Sequence, residues 1–226
     1  MVYDFHTHTS LSDGALSPIE LIRRALVNNY CAIALTDHAA TGELSRIIQE
    51  TTEICALARS HWDILAIPGV ELTHVPTHAI AETAKKAKAL GAWIVVVHGE
   101  TIIESVEKGT NLAALHSPDV DILAHPGLLS LEEARLAAKN GIFLEISARK
   151  GHCLTNGHIA SLAQQVGAKL ILTSDAHSEQ DLLTPSLANA ITQGASLDNT
   201  ACHQVLTLNP QALIKKLTFN TIKINY

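Results

Sequence analysis

One pattern recurs along the chain: a short apolar run ends on a residue able to bind a metal or move a proton, and a polar loop and a segment with helical spacing follow. Val2-Tyr3-Asp4-Phe5 leads into His6-Thr7-His8, Ile33-Ala34-Leu35 into Thr36-Asp37-His38, and Ile67-Pro68-Gly69-Val70 into Glu71. Ile94-Val95-Val96-Val97 ends on His98, Ile122-Leu123-Ala124 on His125, and Ile171-Leu172-Thr173-Ser174 on Asp175-Ala176-His177. Continuous apolar runs mark parallel strands buried on both faces. They predict strands over residues 2–6, 31–36, 63–70, 92–98, 121–125, 141–146 and 169–173.

The intervening segments predict helices over residues 17–29, 43–60, 78–90, 131–140, 156–166 and 184–193. Ser17-Pro18 with Glu20 reads as an N-cap with proline at the first helical position, and Gly91, Gly141, Gly167 and Gly194 stand where helices should stop. Asn209-Pro210-Gln211 opens a last helix through Leu217, while residues 218–226 alternate weakly and read as an edge strand or a disordered end. Strand and helix alternating at this length indicate βαβ units and a parallel sheet. Ligands at the end of nearly every strand converge more readily in a barrel, whose chemistry gathers at the strands' C-terminal ends, than in an open sheet served at one switch point. No linker divides residues 1–226, so one domain is expected, with a barrel core over about 1–217 and a tail over 218–226.

Composition narrows the function. With 47% hydrophobic and only 4% aromatic residues, the core must be built from Ala, Ile, Leu and Val, as in closely packed barrels. A net charge of -6 without any run of Lys or Arg argues against a sequence-independent grip on nucleic acid. Cys31, Cys55, Cys153 and Cys202 are widely spaced and form no CxxC pair, so neither a zinc ribbon nor a disulfide framework is suggested. The N-terminus lacks a basic segment followed by an apolar core, and no apolar stretch approaches 18 residues; a soluble cytoplasmic protein without a membrane partner is expected.

His6 and His8 flank one residue, so on a strand both imidazoles face the same way. Asp175 and His177 repeat that spacing near the other end of the chain. Asp13, in Ser12-Asp13-Gly14, reads in isolation as a turn residue, but it lies in the loop that follows the first strand. A histidine after a buried strand is costly unless it is satisfied, which gives His98 and His125 a shared reason to exist. Together with His38 and Glu71 these residues combine nitrogen and hard oxygen donors without thiolates, a set suited to Zn²⁺, Mn²⁺ or Fe. A carboxylate can bridge two cations, and Glu71 is the candidate for that place. Arg149 and His152, in Ser147-Ala148-Arg149-Lys150-Gly151-His152, form the basic segment expected at the mouth and are candidate substrate contacts. Glu145 could bind metal, contact substrate or brace that loop.

These motifs, in this order, resemble those of the PHP family, named for polymerase and histidinol phosphatase, over residues 2 to 177. The resemblance implies a distorted (β/α)7 TIM-like barrel and a metal-dependent phosphoesterase with two or three divalent transition-metal ions. It implies one metal held by His6, His8, Glu71 and Asp175, a second by Glu71, His98 and His125, and a third by Asp13, His38 and His177. Some relatives carry histidine in place of Asp13. The implied reaction is attack of a metal-activated hydroxide on phosphorus, with Asp175 or His177 positioning the nucleophile and His38, His177 or a metal-bound water protonating the leaving group. With no polymerase segment attached, a small phosphomonoester, as in histidinol-phosphate phosphatases, or a nucleotide or oligonucleotide ester is the expected substrate, and no stable nucleic-acid partner is expected. Two alternatives are weighed: an amidohydrolase-like C–N hydrolase, which also uses an HxH clamp, and a non-catalytic RNA-binding barrel, as in ribonuclease P.

Overall fold

The computed structural model describes the backbone of residues 1–224 and side chains through Thr218. Its strands are β1 (Val2–Asp4), β2 (Tyr30–Leu35), β3 (His38–Ala39), β4 (Leu65–Leu72), β5 (Ile94–His98), β6 (Ile122–Ala124), β7 (Phe143–Ser147) and β8 (Leu170–Thr173). All pair in parallel in the order β1-β2-β4-β5-β6-β7-β8, and β3 adds a short second partner to β4. The helices are α1 (Pro18–Val27), α2 (Leu44–His61), α3 (Ile80–Ala89), α4 (Thr110–His116), α5 (Leu131–Asn140), α6 (Asn156–Val166), α7 (Pro185–Gly194), α8 (Asn199–His203) and α9 (Asn209–Ile224).

The sheet curls until its first and last strands meet, giving the nearly closed barrel that the alternation predicts. Among the described residues the seam is stitched near the C-terminal mouth. Thr7 bridges Ala176, the His8 amide donates to the Ala176 carbonyl at 2.8 Å, and the Asp175 amide donates to the His6 carbonyl at 2.9 Å. Just below, the Ser174 amide donates to the Asp4 carboxylate at 3.0 Å, so a buried side chain takes over from the backbone ladder.

Two apolar layers result. Residues facing outward, among them Ile33, Leu35, Val70, Val95, Val97, Leu123 and Leu144, pack under the helices. Residues facing inward, among them Phe5, Ala34, Ile67, Ile94, Val96, Ile122, Phe143 and Ile171, fill the barrel. Leu213 and Leu217 of α9 join the inner cluster. Lys216 of α9 reaches Asp121 Oδ1 at 3.1 Å, just ahead of β6, and Lys88 reaches Asp121 Oδ2 at 2.5 Å. The last helix therefore plugs the barrel's N-terminal end.

Several expectations change, among them the seven-strand count, since β3 is an eighth, and Gly194 as a helix stop, since it is the last residue of α7. Residues 218–224 continue α9, because Leu213 and Leu217 bury a helical face, and residues 225–226 lie outside the described residues. Ser17 makes no side-chain cap; the serine that forms a full capping box is Ser130, paired with Glu133. Helix α4 was not foreseen, because seven residues give helical periodicity too little length to show. Gly141 and Gly167 end α5 and α6 in the left-handed conformation. Among the described residues no helix is long and apolar enough to cross a membrane.

Candidate metal centre

The strand ends deliver their polar residues to one point. Glu71, near the end of β4, sits at its centre and is fully buried. Its Oε1 lies 3.3 Å from His6 Nε2, 3.3 Å from His98 Nδ1 and 3.7 Å from His125 Nε2. Its Oε2 lies 2.7 Å from His38 Nδ1 and 3.7 Å from His8 Nε2. Strand β3 makes the His38 approach possible by aligning His38 with Glu71 in register. Asp175 stands opposite, with Oδ1 3.1 Å from His8 Nε2 and 3.8 Å from His6 Nε2, and Oδ2 3.8 Å from His125 Nε2.

Backbone geometry shows how firmly these groups are placed. His125 and Asp175 have φ of 26° and 52°, values that L-residues rarely adopt and that persist when the surroundings enforce them. Asp13 arrives by a tight return of its loop. A Cβ at Gly14 would lie 2.3 Å from the His8 carbonyl oxygen, so only glycine lets the chain fold back this closely. Asp37 locks the same loop, accepting from the Thr9 amide at 2.8 Å, the Thr9 hydroxyl at 2.9 Å, the Ser12 amide at 3.1 Å and the Ser12 hydroxyl at 2.7 Å. Asp13 Oδ2 then lies 3.2 Å from His177 Nε2, and Oδ1 lies 3.6 Å from His38 Nε2 and 3.9 Å from His8 Nδ1.

Charge accumulates here without ordinary partners. Among the described residues, His6 Nε2, both ring nitrogens of His8 and of His98, His125 Nδ1 and Glu71 Oε1 are buried and make no hydrogen bond. Orphaned polar atoms in this number are costly unless something else binds them. Burial holds the His8 and His125 rings well below the ordinary histidine pKa, in the neutral form that offers a lone pair. Burial also opposes charge on His6, but Glu71, Glu145 and Asp175 outweigh it and hold that ring well above the ordinary value. Burial likewise opposes charge on Glu71, yet His6 and His38 keep it well below the carboxylate range, whereas burial and the neighbouring carboxylates push Asp175 well above it. Donor atoms fall within 4.8 Å of one another in the groups His6–Glu71–His125, His6–His8–Asp175, His38–Glu71–His98 and His8–Asp13–His38–His177. Their mixture of imidazole and carboxylate suits divalent transition metals.

All nine expected ligand residues are thus brought together, and Glu145, for which the sequence left metal binding, substrate contact or bracing of the 147–152 loop open, braces two of the donors rather than that loop. Its Oε1 lies 2.7 Å from His6 Nδ1 and accepts from the Thr173 hydroxyl, while Oε2 accepts from the His125 amide at 2.7 Å. It orients His6 and the strained turn at His125, acting on the donors from behind. Arg149 lies at the mouth, one third exposed, donating to the Asp175 carbonyl at 3.1 Å with Nη1 2.8 Å from His177 Nδ1. His152 is buried beside His125. Sequence reading missed the Asp37 clamp, Thr73, which lies 2.7 Å from His38 Nδ1, and Thr101, 2.9 Å from His152 Nδ1. An Asp directly before a candidate ligand was the one signal available for the clamp.

Comparison with known proteins bears on this geometry. Residues 4–140 match the family model of the PHP domain. The chain is 47% identical over 218 residues to an uncharacterized protein of Methanocaldococcus jannaschii, covering 96% of this chain and 100% of that one. Its fold is similar to a chain in a structure of archaeal ribonuclease P with mature tRNA, at a TM-score of 0.70, 15% identity and coverage of 98% and 93%. It is also similar to a histidinol phosphate phosphatase of Lactococcus lactis solved with zinc, L-histidinol and phosphate, at a TM-score of 0.58, 16% identity and coverage of 96% and 93%.

Proposed function

Because the chain belongs to the PHP family, we propose that it is a metal-dependent phosphoesterase acting on a small phosphomonoester or on a nucleotide or oligonucleotide ester. The observation that carries this reading is the convergence of buried, unsatisfied histidine nitrogens on Glu71. His6, His8, Glu71 and Asp175 would hold one cation, Glu71, His98 and His125 a second, and Asp13, His38 and His177 a third. Bound cations of this kind supply Lewis-acid charge and make a nucleophilic water available near neutral pH.

The chain's own residues provide the rest. Arg149 stands at the entrance with its guanidinium against Asp175, placed to turn toward an incoming phosphate and bind it as a fork. Asp175 faces the interior and the mouth at once, so it positions the attacking oxygen. Where the third cation is not bound, His38 and His177, the partly exposed histidines of the outer group, are the side chains from which a proton can reach the departing oxygen; as ligands they would not be, and a water at that group would take the role.

The test is Glu71→Gln. Phosphate release from histidinol phosphate, nucleotides and short oligonucleotides should be measurable for the natural chain and abolished in the variant, with metal content reduced. Full activity in Glu71→Gln would overturn the bridging assignment. The TM-score of 0.70 to a ribonuclease P chain favours a second reading, a barrel that serves as an RNA scaffold. A net charge of -6 and the assembled donor set weigh against it. RNA affinity in a preparation without bound metal would favour it instead.

A further inference from the structure

His152 stands at this mouth outside the nine-residue set. It opens the short turn His152–Thr155 after β7, yet its side chain is only 3% exposed. Thr101 Oγ1 lies 2.9 Å from Nδ1, which fixes the ring and leaves Nε2 as its functional end. The ring stacks on His125 with centroids 4.1 Å apart and planes at 21°, and it stands edge-on to His98 at 5.9 Å. His152 Nε2 is 3.9 Å from Asp175 Oδ2, and His125 Nε2 is 3.8 Å from the same oxygen. On the outer side Glu104 Oε2 also lies 3.9 Å from Nε2. Donor atoms of His125, His152 and Asp175 all fall within 4.8 Å of one another.

Ligands about 2.1 Å from a tetrahedral ion are about 3.4 Å apart. The separations at His125 Nε2, 3.7 Å to Glu71 and 3.8 Å to Asp175, and the 3.9 Å between Asp175 and His152, exceed that by only a few tenths of an ångström. A ring tied through one nitrogen and aimed inward through the other is how a metal-binding histidine is usually held. A mere substrate contact would not need to be stacked face-on against one candidate ligand, edge-on to another, and buried.

We infer that His152 is a tenth metal ligand, joining His125 and Asp175 around the cation that Glu71, His98 and His125 share. This rests on the phosphoesterase reading, and it replaces the expectation of His152 as a substrate contact. The cation on the β6–β7 side is then enclosed by protein donors, whereas the outer group keeps the half-exposed Asp13 as its open edge.

The test uses the full chain, stripped of metal and reloaded with Co²⁺, whose visible absorption reports its ligands. Chelator competition gives the affinities for wild type, His152→Phe, Thr101→Val and Glu71→Gln. His152→Phe keeps an aromatic ring against His125 and removes the donor. One Co²⁺ should bind at least tenfold more weakly with an altered band, since even losing a residue that merely orients a ligand costs roughly 10–100-fold. Thr101→Val should weaken the same ion to a smaller degree. Wild-type affinity and spectrum in His152→Phe would overturn the inference; if that variant does not fold, unchanged affinity in Thr101→Val would do so. Wild type that takes up no Co²⁺ sinks the phosphoesterase reading as well. Weakening in Glu71→Gln but not in His152→Phe sinks this inference alone.

Discussion

Replacing Glu145 by Gln changes one charge and almost no shape, at a side chain that touches no solvent. Burial opposes ionisation of Glu145, but His6 above all, with His125 and Thr173, outweighs it and brings the pKa from 4.5 down to about 2. At about 1.4 kcal/mol per pH unit, that gap amounts to about 3 kcal/mol of preference for the carboxylate. The amide can still accept from the His125 amide, but it must then turn its NH₂ toward His6 Nδ1 and the Thr173 hydroxyl. Metal-free Glu145→Gln should therefore lose about 3 kcal/mol at pH 7, or roughly 6–12 °C in Tm for a chain of this size, read by circular dichroism. Metal affinity should fall roughly 10–100-fold because His6 loses its brace, read by chelator competition. The pH course supplies a further check. A depressed folded-state pKa contributes stability that is full above 4.5 and disappears as pH falls toward about 2, so the two proteins should converge across that interval. Equal melting points at pH 7 together with equal metal affinity would refute the bracing role.

Three other outcomes are expected. Asp37→Ala should destabilise the chain by at least about 2 kcal/mol, since four hydrogen bonds to the 9–12 loop are lost; elemental analysis should show selective loss of the metal held through Asp13. Leu213→Ala should cost about 2–5 kcal/mol in urea denaturation by leaving a cavity under the barrel, with metal content unchanged. Removing metal with a chelator should lower Tm, because ions that bind only the folded chain add about 2.7 kcal/mol at a hundredfold excess over Kd.

The barrel was legible because its strands are buried on both faces and so are written as uninterrupted apolar runs. Most predicted strand starts fell one or two residues early, as at residues 92–98 against Ile94–His98, because Ala92 is apolar but its amide closes the end of α3 on Ala87, while Trp93 reaches β4 only through its amide to Pro68. Strand β3 was not legible: two residues carry no periodicity, and pairing with β4 is what makes them a strand. Apart from Asp13, chosen for its place in the loop after the first strand, the ligand candidates could be picked out because they follow apolar runs. Glu145 was a candidate without a fixed role, since it sits within a strand among apolar neighbours, and Thr73 and Thr101 are ordinary loop threonines until the fold brings them beside histidines. The last helix was stopped at Leu217 because residues 218–224 alternate weakly and show no helical periodicity, and the helix they continue is anchored at Leu213 and Leu217 on a partner, the open end of the barrel, that local sequence does not contain.

That partner also imposes an order on assembly. The inner layer begins with Phe5 and is completed by Leu213 and Leu217, so residues near opposite ends of the chain must meet before the apolar interior is covered. During synthesis the strands can pair one after another as they emerge, but the lumen stays open to water until the last helix is made. Contacts this distant in sequence slow folding and prolong exposure of sticky surface. A ribosome that stalls before residue 209 would release a barrel without a floor, a species made to aggregate or to be captured by a chaperone.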